Sequence, residues 1–138
     1  MVLTSRVAAT ARGLLALLAV MALAACGFSL LPPDGAPPGV VLAAYLRVLE
    51  RGDCATSRSL TTSTFIVGNG DLCGVLDVTA FSVPDGAARP SDGEVVYSTT
   101  LTTRGGDVSM PDGNHTWFYS LVRQPDGEWR IAGGGSGP

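Results

Sequence analysis

Three cysteines, one histidine and a scatter of acids are the residues of this 138-residue chain with the most reactive chemistry. Cys54, Cys73 and the distant His115 lack the spacing of a zinc site, and no Cys-x-x-Cys is present for redox exchange. As a general base His115 would need a serine nucleophile beside it. It follows the turn Pro111-Asp112-Gly113-Asn114, two residues before Trp117, which is the setting of a solvated turn histidine. Asn114-His115-Thr116 matches the glycosylation sequon, a triplet common by chance. Gly105-Gly106 and the glycines at 133–135 lack the strand, helix and lysine of a phosphate loop. Asp34, Asp53, Asp71, Asp85, Asp92, Asp112 and Asp126 all adjoin a glycine and read as turn and cap residues, whose carboxylates bond nearby backbone. Asp77 stands apart, on one alternation face with Val75 and Phe81. With Tyr97, Trp117 and Tyr119 it forms the candidate lining of a pocket, although a stripe of strand aromatics more often supplies plain core and a lone strand aspartate more often faces solvent. The expectation is no catalytic constellation, no metal and no cofactor.

Cys26 differs from the other cysteines by what precedes it. Arg6 and Arg12 are the only charges ahead of it, and 13–25 reads GLLALLAVMALAA before small residues, the order of an export signal. A spanning helix needs about twenty apolar residues, and this run is shorter. Leu23-Ala24-Ala25-Cys26 resembles the bacterial lipobox, in which the cysteine is acylated and then becomes the first residue of the mature chain. The alternative is an ordinary export signal with a chance cysteine. The lipobox reading makes 1–25 a signal peptide and Cys26 the lipid attachment. Two acyl chains make the anchor lasting, since each buried CH₂ contributes about 0.8 kcal/mol. Residues 26–38, with Pro32, Pro33, Pro37 and Pro38, become an extended tether. The mature domain then sits on the outer, extracytoplasmic face of the cell membrane. In that oxidising setting Cys54 and Cys73 are an even pair and read as a disulfide. It closes a loop worth about 3 kcal/mol in the chain-entropy model. Loss of Arg6 and Arg12 takes the formal net charge from -3 to -5, and no lysine is present, so binding to nucleic acid is not expected.

These residues need elements to position them. With 46% apolar and 15% charged residues the chain is no disordered polymer, and its length suits one domain. Leu42, Tyr45, Leu46 and Leu49 recur at i, i+3, i+4 and i+7, which predicts a helix stopped by Gly52. Asp53 is placed to cap a second short helix over about 54–60. Past Cys73 the period becomes two. A first strand puts Leu76, Val78 and Ala80 on one face, and a second covers 94–104. A third covers 114–123 with Trp117, Tyr119 and Leu121 together, and a fourth holds Trp129 and Ile131 after the turn Pro125-Asp126-Gly127. The fold class expected is α+β, N-terminal helices packed on a curved antiparallel sheet of about four strands. The domain spans 39–133, and 134–138 is a flexible tail.

Leu49-Glu50-Arg51-Gly52-Asp53-Cys54 closing the first helix, the second cysteine before the first strand, the run Trp117-Phe118-Tyr119-Ser120-Leu121-Val122-Arg123 and the closing Asp126-Gly127-Glu128-Trp129-Arg130-Ile131 resemble small actinobacterial lipoproteins of the nuclear-transport-factor-2-like superfamily, with its cystatin-like cone. The resemblance covers about 38–133. The polar, glycine-containing 61–70 departs from it, since the family often has a further helix there. The resemblance implies a membrane-anchored, non-enzymatic domain that binds a small apolar ligand or docks on an envelope protein. Ketosteroid-isomerase-like members instead move protons with an Asp or Tyr inside the cone. Asp77 and Tyr97 are the corresponding candidates for an isomerase-like or hydratase-like alternative. A structural envelope accessory with a filled core is the third.

Overall fold

Pro37 and Pro38 open the first helix, because a fixed φ and a missing N–H are harmless in a first turn. In the computed structural model, which describes residues 29–137, helix α1 runs Pro38–Glu50. It stops where Gly52, at φ 69°, lets the chain turn back. The Gly52 N–H then reaches Leu49 O at 2.9 Å and the Asp53 N–H reaches Val48 O at 3.2 Å, so two orphan carbonyls are satisfied. Asp53 at once starts helix α2, Cys54–Arg58, with its carboxylate accepting from the Thr56 N–H at 3.0 Å and the Thr56 hydroxyl at 2.6 Å. The α2 helix is shorter than the span 54–60 read from sequence. The following Leu60 to Thr62 instead bonds along Ile131, with Ile131 N–H to Leu60 O at 3.0 Å and Thr62 N–H to Ile131 O at 2.8 Å.

The strands are β1 Asp77–Ser82, β2 Arg89–Pro90, β3 Glu94–Arg104, β4 Gly113–Arg123 and β5 Trp129–Gly135. They form one curved, open antiparallel sheet in the order β1-β3-β4-β5, with β2 pairing β3 beside β1. The fold is α+β with five strands rather than about four. A strand of two residues carries no period, so β2 could not be read from alternation. On β3 the inward set is Val95, Tyr97, Thr99, Leu101 and Thr103. Opposite them on β4 lie Tyr119 and Leu121, the cross-strand partners of Tyr97 and Val95. The buried face of α1, Val41, Leu42, Tyr45, Leu46 and Leu49, completes this core. Full burial of each such side chain contributes about 1.5–3 kcal/mol.

Two irregularities re-aim side chains. In β1 the register slips between Val78 and Ala80, so Thr79 is the extra residue of a bulge. Val78 and Phe81 therefore both pack against the core, although simple alternation puts them on opposite faces. In β5 Ala132 is the extra residue, because the register slips between Ser120 and Leu121 of β4, after which Gly133, Gly134 and Gly135 pair with Ser120, Tyr119 and Phe118. The sheet thus continues to Gly135, two residues past the boundary expected at 133. The end of the expected tether is held as well. Ala36 is buried, and the Gly35 N–H donates to Glu128 Oε1 at 2.8 Å.

Candidate functional site

The interior between α1 and the sheet is filled. Tyr45, Tyr119 and Phe65 pack edge-on, with ring centroids of Tyr45 at 5.6 Å from Tyr119 and 6.0 Å from Phe65. Tyr97 lies beside Tyr119 on the sheet, but its hydroxyl end abuts Gly39 in the first turn of α1. Burial raises the Tyr97 pKa, and the Gly39 backbone opposes that rise. Two of the four expected pocket residues, Tyr97 and Tyr119, are therefore core. Asp77 is exposed and pairs in register with Arg104 at the sheet edge. It borders a surface groove of about 540 Å³ beside the disulfide, with Leu49, Cys54, Cys73 and Thr79. The bulge explains this, because it decouples Asp77 from the face of Phe81.

Trp117 is the one expected pocket residue that lines an apolar groove. About 400 Å³ of space lies between it and Leu72, Val75, Leu76 and Met110, rimmed by Asp107, Ser109 and Ser136. Its indole Nε1 is buried without a hydrogen-bond partner against the backbone of Gly134. A third groove, of about 460 Å³, lies along the loop after α2 and is lined by Arg58, Thr61, Thr62, Ser63, Phe65, Ile66, Val67 and Asp71. Asp71 and Leu72 are adjacent in sequence and line different grooves.

Asp71 is the residue that sequence reasoning passed over. Its Oδ1 accepts the Cys73 N–H at 3.0 Å, the local turn bond that a glycine-flanked aspartate is expected to make. Yet the side chain is buried, and the hydroxyls of Tyr45 and Tyr119 are buried beside it, outside strict hydrogen-bond geometry but close enough that the Tyr45 hydroxyl acts on the carboxylate as a donor. The Tyr45 pKa is driven far up, by burial first, then by Tyr119 and the Asp71 carboxylate. Tyr119 is raised by burial and then by Asp71, with Tyr45 opposing. Only the long-range meeting of 45, 71 and 119 reveals this cluster, so no local sequence signal could have found it.

The Cys54–Cys73 disulfide forms as expected, with Cα atoms 5.6 Å apart. It ties the start of α2 to the segment that carries Asp71 and Leu72. His115 Nε2 sits 2.6 Å from Pro111 O, a donation that closes its own turn. Cys26, the expected lipid attachment, lies outside the described residues. Among the described residues no helix is long and apolar enough to cross a membrane, and no three His, Cys, Asp or Glu side chains gather as a metal site.

No family model matches the chain, and no curated protein matches it. A solved structure does. The chain is similar in fold to a SEC-C motif containing protein from Rhodopseudomonas palustris, known from a solution structure, at 13% identity and a TM-score of 0.57 over 77% of this chain and 83% of that one.

Proposed function

We propose that this protein is a lipid-anchored, extracytoplasmic binding domain, with Cys26 as the acylated first residue and the helices and sheet forming a filled nuclear-transport-factor-2-like cone. In this reading it holds a small apolar molecule in the groove beneath Trp117 and performs no reaction. That groove is the observation that carries the binding reading: an open apolar space beside a packed interior, with Val75 half exposed on its wall. The disulfide supports an oxidising compartment. The exposure of Asp77 weakens the isomerase-like alternative, which needs an acid in an open interior. That alternative would have to move to Asp71, where the rings of Tyr45 and Phe65 occupy the space beside Tyr119.

Two measurements test the proposal. In cells fed a clickable fatty acid, the wild-type protein should label and fractionate with membranes, and Cys26→Ser should do neither. Labelling of the Cys26→Ser protein would overturn the anchor. An uncharged apolar fluorophore, N-phenyl-1-naphthylamine, should bind with energy transfer from tryptophan. Val75→Asp, which places a charge on the groove wall, should weaken that binding about tenfold with the fold intact. Equal binding by Val75→Asp would remove the groove from the proposal.

A further inference from the structure

The groove beneath Trp117 carries charge of one sign. Its walls, Leu72, Val75, Leu76, Met110 and Trp117, are apolar, and among the residues that line it Asp107 alone is ionised at neutral pH. Asp107 is exposed, and the hydrogen bonds from the Ser109 hydroxyl and N–H hold its carboxyl below the usual carboxylate range. A fixed negative charge therefore stands at the rim of a hydrocarbon-lined space. Arg104, the nearest cation along the chain, lines a different groove together with Asp77, its register partner.

Most of the groove's own donors are spent. The Ser109 N–H and hydroxyl donate to Asp107 Oδ1 at 2.8 and 2.6 Å, the Gly105 N–H donates to Asp112 Oδ1 at 2.7 Å, and the Met110 N–H donates to Asp107 O at 3.2 Å. On the facing wall the Val75 and Leu76 N–H groups donate to Leu72 O at 3.0 and 3.4 Å. The Trp117 indole adds no donor, because its Nε1 is buried against the Gly134 backbone and the part of the ring that borders the groove is carbon. An anionic head group would thus meet a carboxylate and few free N–H or O–H groups. A cationic one meets a carboxylate that can accept about four bonds in all. The rim is also preset, since Gly106 lies so close to the Met110 backbone that a Cβ there would collide with it, and a fixed loop lowers the ordering cost of binding.

We propose that this groove selects a small apolar amine, its hydrocarbon against Trp117, Val75 and Met110 and its ammonium at the Asp107 carboxylate. This selectivity rests on the groove binding an apolar molecule at all, as proposed above, and adds the head group that the site prefers. The hydrocarbon leaves water in the groove, and a charge-assisted hydrogen bond holds the ammonium at its rim. The formal charge of -5 expected for the mature chain acts in the same sense at longer range. A fatty carboxylate of equal length gains the same burial and is repelled at the same rim.

The test is titration of the folded full-length protein with octylamine, 1-octanol and octanoate, which share one chain and differ in head-group charge at neutral pH. Binding is followed by calorimetry and by the amide and indole chemical shifts of Leu72 to Leu76, Asp107, Met110 and Trp117. At low salt octylamine should bind about three- to fivefold tighter than 1-octanol, the size expected of an exposed charge pair, and octanoate should be weaker than 1-octanol by a similar factor. Sodium chloride at about 0.5 M should remove most of that order. Asp107→Asn, an exposed change that keeps an Oδ1 acceptor for Ser109, should bring octylamine to the affinity of 1-octanol and leave 1-octanol unaffected. The selectivity falls if 1-octanol shifts the groove signals and octylamine binds no tighter, or if Asp107→Asn keeps the wild-type order; the apolar-groove reading then stands. If none of the three moves the Trp117 and Val75 signals, both fall. Should Asp107→Asn fail to fold, the order of the three head groups on the wild-type protein and its loss in salt decide.

Discussion

At the scale of single residues, the buried hydroxyls of Tyr45 and Tyr119 carry a consequence for pH. Both pKa values are raised by burial, so the folded protein holds these phenols neutral where the unfolded chain, near its ordinary value of about 10, ionises them. The stability this confers is fully present below about pH 10 and is lost as the pH rises towards the raised folded values. Tyrosinate absorbance at 295 nm from these two rings should thus appear together with loss of the fold rather than before it. Tyr119→Phe removes a buried hydroxyl that has no partner. It should leave stability at pH 7 unchanged or higher by about 1 kcal/mol, and it should move the alkaline unfolding midpoint upward. A fall of several kcal/mol at pH 7 would mean that this hydroxyl is bonded after all. The same residues mark where sequence reading stopped. Trp117 and Asp53 announce their roles through neighbours in the chain, whereas Asp71 looks like any glycine-flanked turn acid until Tyr45 and Tyr119 are brought to it.

Among the elements, the glycine run at the end of β5 shows the same divide. By composition, 134–138 resembles a frayed end, yet Gly134 lies under Trp117 and against Gly70. A Cβ on Gly134 would fall 2.8 Å from Trp117 Nε1 and 3.1 Å from Gly70 O. A Cβ on Gly70, at φ +95°, would collide with the Gly134 backbone. The close crossing of these two backbones holds the loop that separates the two grooves. Gly70→Ala should therefore destabilise by at least about 2 kcal/mol, from strain at positive φ together with overpacking. Denaturant unfolding checks this, with Gly68→Ala as control because a Cβ there meets nothing within 4 Å. Equal costs for the two would argue that the crossing is not tight. Periodicity reads the long β3 and β4 well, since one buried face imposes a period of two on eleven residues. It fails at β2 and at the Thr79 bulge, where the ladder partner decides the geometry.

For the whole molecule, the disulfide links the helical layer to the start of the sheet. Reduction, or the double change Cys54→Ser with Cys73→Ser, should cost about 3 kcal/mol by restoring loop entropy to the unfolded chain. It should also loosen the segment that carries Asp71 and Leu72, so binding at the apolar groove should weaken beyond the loss of global stability. Hydrogen exchange at residues 66–76 measures this directly. Unchanged exchange there would show that the backbone crossing at Gly70, not the disulfide, sets the grooves. What the sequence determined by itself is what short-range physics controls: the hydrophobic period of α1, β3 and β4, the Gly52-Asp53 hinge that ends one helix and caps the next, and the pairing of two cysteines in an even set. Tertiary structure alone decided which side chains share a cavity. A one-residue bulge turned Asp77 away from the interior, a glycine crossing recruited the chain end into the sheet, and packing of residues far apart in the chain placed a carboxylate beneath two tyrosine hydroxyls. Each of those outcomes depends on contacts between distant segments, whose energies no local window of sequence contains.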